Sequence, residues 1–224
     1  MIARTASAAA AKAAGRTEPN RPVPLFERPG SLADLAQAIE RCRECPLGAQ
    51  ATQAVPGEGP ARGARLMFVG EQPGDREDMT GRPFVGPAGQ MLDRAFAQLG
   101  WPRDKVYVTN AVKHFKHELR GKRRIHKTPA QQEAAACLHW LESEIALVRP
   151  EALVALGATA ARQLAGRPVP VLRERGHWLV RPDKLRVLVT LHPSALLRLE
   201  SADREAGYAA WLDDLRAADA YFRH

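Results

Sequence analysis

The chain has 224 residues, 45% hydrophobic and 26% charged, the balance of a globular chain long enough to bury one full core. Its formal net charge of +8 and pI near 9.9 point to a polyanionic partner, of which nucleic acid is the commonest. No apolar run approaches the roughly 20 residues of a membrane span, and three cysteines without an apolar leader argue against a disulfide scaffold or a secretory signal.

Residues 1–28 are rich in Ala, Arg and Pro and are expected to form a flexible basic N-terminal arm, with residues 29–224 as a single domain. Ser31 reads as the N-cap of a helix carrying Leu32, Leu35 and Ile39, which runs into Cys42-Arg-Glu-Cys45. A redox dithiol, a metal clip and plain packing are all open for that pair. Leu66–Val69 is a short buried strand leading into Gly-Glu-Gln-Pro-Gly-Asp at 70–75. Pro87 starts a helix with Met91, Leu92, Ala95 and Leu99 on one face. Val106–Thr109 is a second strand, followed by a polar loop. Thr128-Pro129 caps a long helix through about Leu147, with Cys137 inside it. Ala152–Leu156 is a third strand with a helix from Ala158, Arg186–Leu191 a fourth that ends at His192-Pro-Ser194, and residues 203–220 an amphipathic closing helix. This alternation predicts an α/β fold: one three-layer domain with a central four-stranded parallel sheet flanked by helices. Polar motifs follow the first, second and fourth strands, and ligands bind at that carboxyl edge in open α/β sheets.

The polar loop after the second strand holds Lys122-Arg123-Arg124-Ile125-His126, three cations and a histidine in five residues. Such a segment brings positive charge and a nucleophile or acid/base group to one polyanion, so chemistry on nucleic acid is its natural reading.

The motifs become specific in combination. Gly-Glu-Gln-Pro-Gly-Asp at 70–75, Pro-Phe-Val-Gly-Pro-Ala-Gly at 83–89, Val-Thr-Asn-Ala-Val-Lys at 108–113 and His-Pro-Ser at 192–194 resemble, in order, those of the uracil-DNA glycosylase superfamily. The iron–sulfur family-four branch is the nearest broad match, and Lys-Arg-Arg-Ile-His resembles the insertion of UdgX-type enzymes. The resemblance spans roughly residues 38–200 and implies excision of uracil from DNA. The base must be flipped out, its edge read, and both developing charges stabilised.

On that resemblance Phe84 stacks on the flipped base, Asn110 pairs with the uracil edge and His192 stabilises the departing anion. Ser194 binds a backbone phosphate, Gln72 shapes the pocket, and Asp75 and Asp78 brace their loop. Glu71 is the catalytic carboxylate, and Arg124 pins the basic loop through an acidic or backbone partner. His126 corresponds to the histidine that attacks the sugar C1′ and leaves protein and DNA covalently joined. The resemblance also implies a 4Fe–4S cluster on Cys42, Cys45, Cys137 and His114, the histidine standing where the all-cysteine branch has its fourth thiolate. Zinc on the same four side chains and an ordinary hydrolase using water are the alternatives. The expected partner is uracil-containing DNA, preferably single-stranded; the expected state is a cytoplasmic monomer, nucleoid-associated when acting on DNA.

Overall fold

The computed structural model describes residues 29–223, so the expected N-terminal arm lies outside the described residues. In chain order the elements are α1 (Leu32–Glu40), α2 (Leu47–Gln50), β1 (Leu66–Gly70), α3 (Asp75–Thr80), α4 (Pro87–Leu99), β2 (Val106–Asn110), β3 (His117–Arg120), β4 (Arg123–His126), α5 (Gln131–Val148), β5 (Ala152–Leu156), α6 (Ala158–Ala165), α7 (Val171–Glu174), β6 (Trp178–Val180), β7 (Arg186–Thr190), α8 (Pro193–Leu197) and α9 (Ser201–Arg216).

Strands β1, β2 and β5 are buried at every residue, which is why they read as largely apolar runs rather than alternating ones, β2 closing on the buried polar Thr109 and Asn110. Leu66 and Phe68 face one layer, with Leu92, Phe96 and Trp211. Met67 and Val69 face the other, with Leu141, Ile145 and Leu164. Burying each such large side chain contributes about 1.5–3 kcal/mol before chain entropy is counted. A third cluster, with Leu35, Ile39, Val112 and Trp140, seats α1 on α5. Ser31 caps α1 as expected, its Oγ accepting the Asp34 N–H at 3.1 Å.

The sheet order is β2-β1-β5-β7-β6. Four strands are parallel, but β6 adds a fifth, antiparallel to β7, so the expectation of a four-stranded parallel sheet is corrected to a five-stranded mixed one. β6 has only three residues, none fully buried, too short an edge to show a period-two pattern. The connections from β1 and β5 run to opposite sides of the sheet, which opens a crevice between the carboxyl ends of these two neighbours.

A second correction concerns the basic segment. It is not a loop: Arg123–His126 form the second strand of a hairpin in which β3 pairs with β4, His117 opposite His126 and Leu119 opposite Arg124. The turn is Gly121-Lys122, with Gly121 at φ 61°, the left-handed geometry that two-residue hairpins use. The long helix is capped at Ala130 and starts at Gln131, slightly beyond the expected Thr128-Pro129 cap, with the Glu133 carboxylate accepting the Ala130 N–H at 2.6 Å.

Candidate active site

Residues that follow β1, β2 and β7, with His126 of β4, meet at the carboxyl edge around a cavity of about 580 Å³. Gln72, Asp75, Phe84, Asn110, His126, His192 and Ser194 all line it. Gly70 is the pivot. A Cβ there would lie 2.4 Å from Asn110 Oδ1, 2.7 Å from Phe84 Cζ and 3.4 Å from His192 Nε2, so only glycine lets these three side chains converge.

Phe84 has φ 56°, a conformation that costs a non-glycine residue roughly 1–3 kcal/mol and needs support from its surroundings. That support comes from Glu77, a buried carboxylate that accepts the Gly86 N–H at 2.8 Å. The Phe84 ring stacks loosely on His192, with centroids 6.2 Å apart and planes at 29°. Asn110 is buried at the end of β2, and its side-chain amide makes no hydrogen bond among the described residues. Both its donor and its acceptor are therefore open to a ligand.

His192 is defined down to its tautomer. Its Nδ1 accepts the Ser194 backbone N–H at 3.2 Å and lies 2.8 Å from Ser194 Oγ. Burial, with nearby His126 and Arg198, pushes its pKa down to about 4. The ring is neutral near pH 7, and since a backbone N–H can only donate, the proton sits on Nε2 beside Asn110 and Phe84.

His126 ends β4, half exposed, with Nε2 3.6 Å from Glu71 Oε1. Burial lowers its pKa below the ordinary histidine value, with Arg198 adding and Glu71 opposing. The hairpin that carries it protrudes from the core and is held from outside. The Gln72 amide donates to the carbonyls of Lys127 (3.0 Å) and Lys116 (3.2 Å), and its Oε1 accepts the Lys116 N–H (3.0 Å). This side chain clamps both hairpin ends. Arg124 reaches Asp75 at 2.6 Å, buried Asp78 at 2.5 Å and Thr52 Oγ1 at 2.9 Å, tying the hairpin to α3. Lys122 and Arg123 are exposed and make no ion pair among the described residues.

The cysteines lie at the far side of the β2 loop. Cys42 and Cys137 are buried in the third core cluster with Cys45 packed against it, and all three thiols are free. Trp140 Nε1 donates to Cys42 Sγ at 3.3 Å, and the Lys113 N–H to Cys137 Sγ at 3.4 Å. Burial pushes the Cys137 thiol up to about 11. His114 is buried too, its Nδ1 without a partner, and burial with Arg43 lowers its pKa. A side chain at Gly48 would run into the Cys42 carbonyl oxygen at 2.3 Å and sit 3.5 Å from the His114 ring, so cysteine loop and imidazole pack closely. Free thiols beside an orphaned neutral imidazole suit a soft-metal group. Among the described residues, however, no three His, Cys, Asp or Glu side chains form a group that could hold a metal ion.

The sequence pattern of the Uracil DNA glycosylase superfamily matches residues 56–216. The chain belongs to that superfamily. It is 35% identical to the Type-4 uracil-DNA glycosylase of Thermotoga maritima, over 89% of this chain and 98% of that protein. With the Type-4 enzyme of Pyrobaculum aerophilum it shares 37% identity over 75% of this chain and 85% of the relative. A Type-5 uracil-DNA glycosylase of the same organism is 33% identical over 59% of this chain and 62% of its own length.

This superfamily member also uses residues that its sequence did not single out. Glu77 braces the Phe84 loop, and Arg198 lines the cavity and acts on both histidines. Thr159, after β5, donates to Glu71 Oε2 at 2.6 Å. Lys113 and Glu144 form a buried ion pair at 2.7 Å beneath Asn110. A lysine in the apolar segment just after β2, 31 residues from a helix glutamate, was the one available signal.

Proposed function

We propose that this protein excises uracil from DNA, preferably single-stranded, and then remains joined to the abasic sugar through His126. The observation that carries this reading is the placement of the His126 ring 3.6 Å from the Glu71 carboxylate, at a cavity lined by Asn110 and His192. Phe84 stacks on the flipped base, and the Asn110 amide pairs with its edge. His192 donates from Nε2–H to a uracil carbonyl as the glycosidic bond breaks, so the base leaves as a stabilised anion. The sugar becomes cationic at C1′ beside Glu71. A ring nitrogen of His126 then bonds to C1′, and the imidazolium passes its proton to Glu71. The neutral substituted imidazole is a poor leaving group, so the link persists. Ser194 and the exposed Lys122 and Arg123 contact phosphates, while Gln72, Asp75 and Arg124 hold the hairpin in place.

The test is a denaturing gel of the protein with a uracil-containing oligonucleotide. A heat- and detergent-stable shifted band is expected; free abasic DNA with unattached protein is the result for a hydrolase using water. Adduct formation also has a predicted pH profile. The lone pair of His126 must be unprotonated, and its pKa lies below the ordinary value. The single-turnover rate should therefore stay level as pH falls from 8 to about 6.5 and decline only below that, the usual histidine midpoint. A decline already centred above it would contradict the assignment.

The same reading gives Cys42, Cys45, Cys137 and His114 a 4Fe–4S cluster. When bound, it supplies a structural cross-link between α1, the loop after β2 and α5. The family-four resemblance supports a cluster, as do the free thiols packed with the orphaned His114 Nδ1. Purified protein should contain iron and absorb broadly near 400 nm, roughly where such clusters absorb; a colourless zinc protein would refute it.

A further inference from the structure

The third parallel strand carries no polar motif after it in sequence, yet the helix that follows it reaches Glu71. Gly157 follows β5, and Thr159 lies in the first turn of α6. The Thr159 hydroxyl donates to Glu71 Oε2 at 2.6 Å across 88 residues of sequence. The other carboxylate oxygen, Oε1, is the one 3.6 Å from His126 Nε2. β1 and β5 are adjacent, and their connections leave in opposite directions, so this bond spans the crevice where ligands bind in such sheets.

We infer that Thr159 is a positioning residue for the reaction: it fixes the rotation of the Glu71 carboxylate so that one oxygen faces the sugar and His126. This rests on the reading of Glu71 as the carboxylate of the excision site. An O–H···O⁻ bond this short is charge-assisted, about twice as strong as a neutral one. The threonine side chain is stiff about χ1, so its hydroxyl holds a direction instead of following the carboxylate. No other hydrogen bond of the Thr159 side chain competes among the described residues. The carboxylate is about a quarter exposed, and without this anchor it is free to turn towards water. The hydroxyl touches neither base nor sugar in this arrangement; its effect passes through Glu71.

The experiment compares Thr159→Val, which keeps the shape and removes the donor, with Thr159→Ser, which keeps the donor. Single-turnover uracil release is measured on the full chain, together with binding of an oligonucleotide carrying a non-cleavable uracil nucleotide. Thr159→Val should slow release about 10- to 100-fold, the range for loss of a hydrogen bond to a charged group, with the dissociation constant unchanged within about twofold. Thr159→Ser should restore the rate to within about threefold of the parent. Placed on Glu71→Ala, the valine should cost nothing more, because its route of action is already gone. Failure of serine to restore the rate, an equal slowing in the Glu71→Ala background, or weakened binding that accounts for the whole effect would each overturn the inference. Unimpaired release by Glu71→Ala alone would overturn the assignment of Glu71, and this inference with it. Because release is scored rather than the covalent band, a missing adduct leaves the comparison intact.

Discussion

His126→Ala should abolish the heat-stable protein–DNA band while uracil release continues. The two steps use different groups. In the proposed mechanism the glycosidic bond breaks under the pull of His192 Nε2–H and the field of Glu71, neither of which depends on the His126 lone pair. Release should therefore slow by no more than about tenfold, or roughly 1.4 kcal/mol. The covalent product needs a nucleophile at the hairpin edge, and removing it leaves water as the only attacker. His126→Ser makes the contrast sharper. Its short side chain leaves room for water beside Glu71, so abasic DNA should accumulate over several turnovers. Both variants should keep the parent's melting temperature, since His126 is half exposed at the end of a hairpin strand. The measurement is one gel with two readouts, shifted band and alkali-cleavable product. Persistence of the band in the alanine variant would place the nucleophile elsewhere.

The four strand ends differ in how openly they announced themselves. β1, β2 and β5 sit between helices, so both faces demand apolar side chains and the strands stand out as apolar runs. Gly70, Asn110 and His192 follow such runs directly, which made the carboxyl edge legible. The β3–β4 hairpin was not, because it has no core face. Its side chains alternate nothing, and its stability comes from Gln72, Arg124 and the buried Phe115 ring, contacts made 9 to 72 residues away along the chain. Thr159 was hidden for a different reason. A threonine in the first turn of a helix is ordinary for that position. Only the sheet order, which sets β5 beside β1, shows that its hydroxyl meets Glu71. Position in the fold, not residue type, carried that information.

Lys113→Met should be the most destabilising single change outside the apolar core. Lys113 Nζ is fully buried and donates to Glu144 Oε2 (2.7 Å), Asn110 O (2.7 Å) and Thr109 Oγ1 (2.8 Å), which satisfies all three of its N–H groups. Glu144 is equally buried and accepts from Thr109 Oγ1 and the Gly57 N–H as well. Methionine fills the space but strands the Glu144 charge in the interior. Breaking one side of such a pair costs about 3–5 kcal/mol, a large part of the roughly 5–15 kcal/mol that holds a domain together. For a chain of this size the melting temperature should fall by roughly 6–20 °C. Lys113→Met combined with Glu144→Leu should recover part of the loss, since no lone charge remains, but not all of it. The Gly57 N–H, Thr109 hydroxyl and Asn110 carbonyl would still lack their partners. The effect reaches the site because Lys113 holds the Asn110 carbonyl from behind, and its own N–H meets Cys137 Sγ. In the single variant, uracil release should therefore fall even at temperatures where the protein stays folded. A melting temperature within about 2 °C of the parent, less than 1 kcal/mol, would mean that the pair relaxes to water instead of anchoring the strand end.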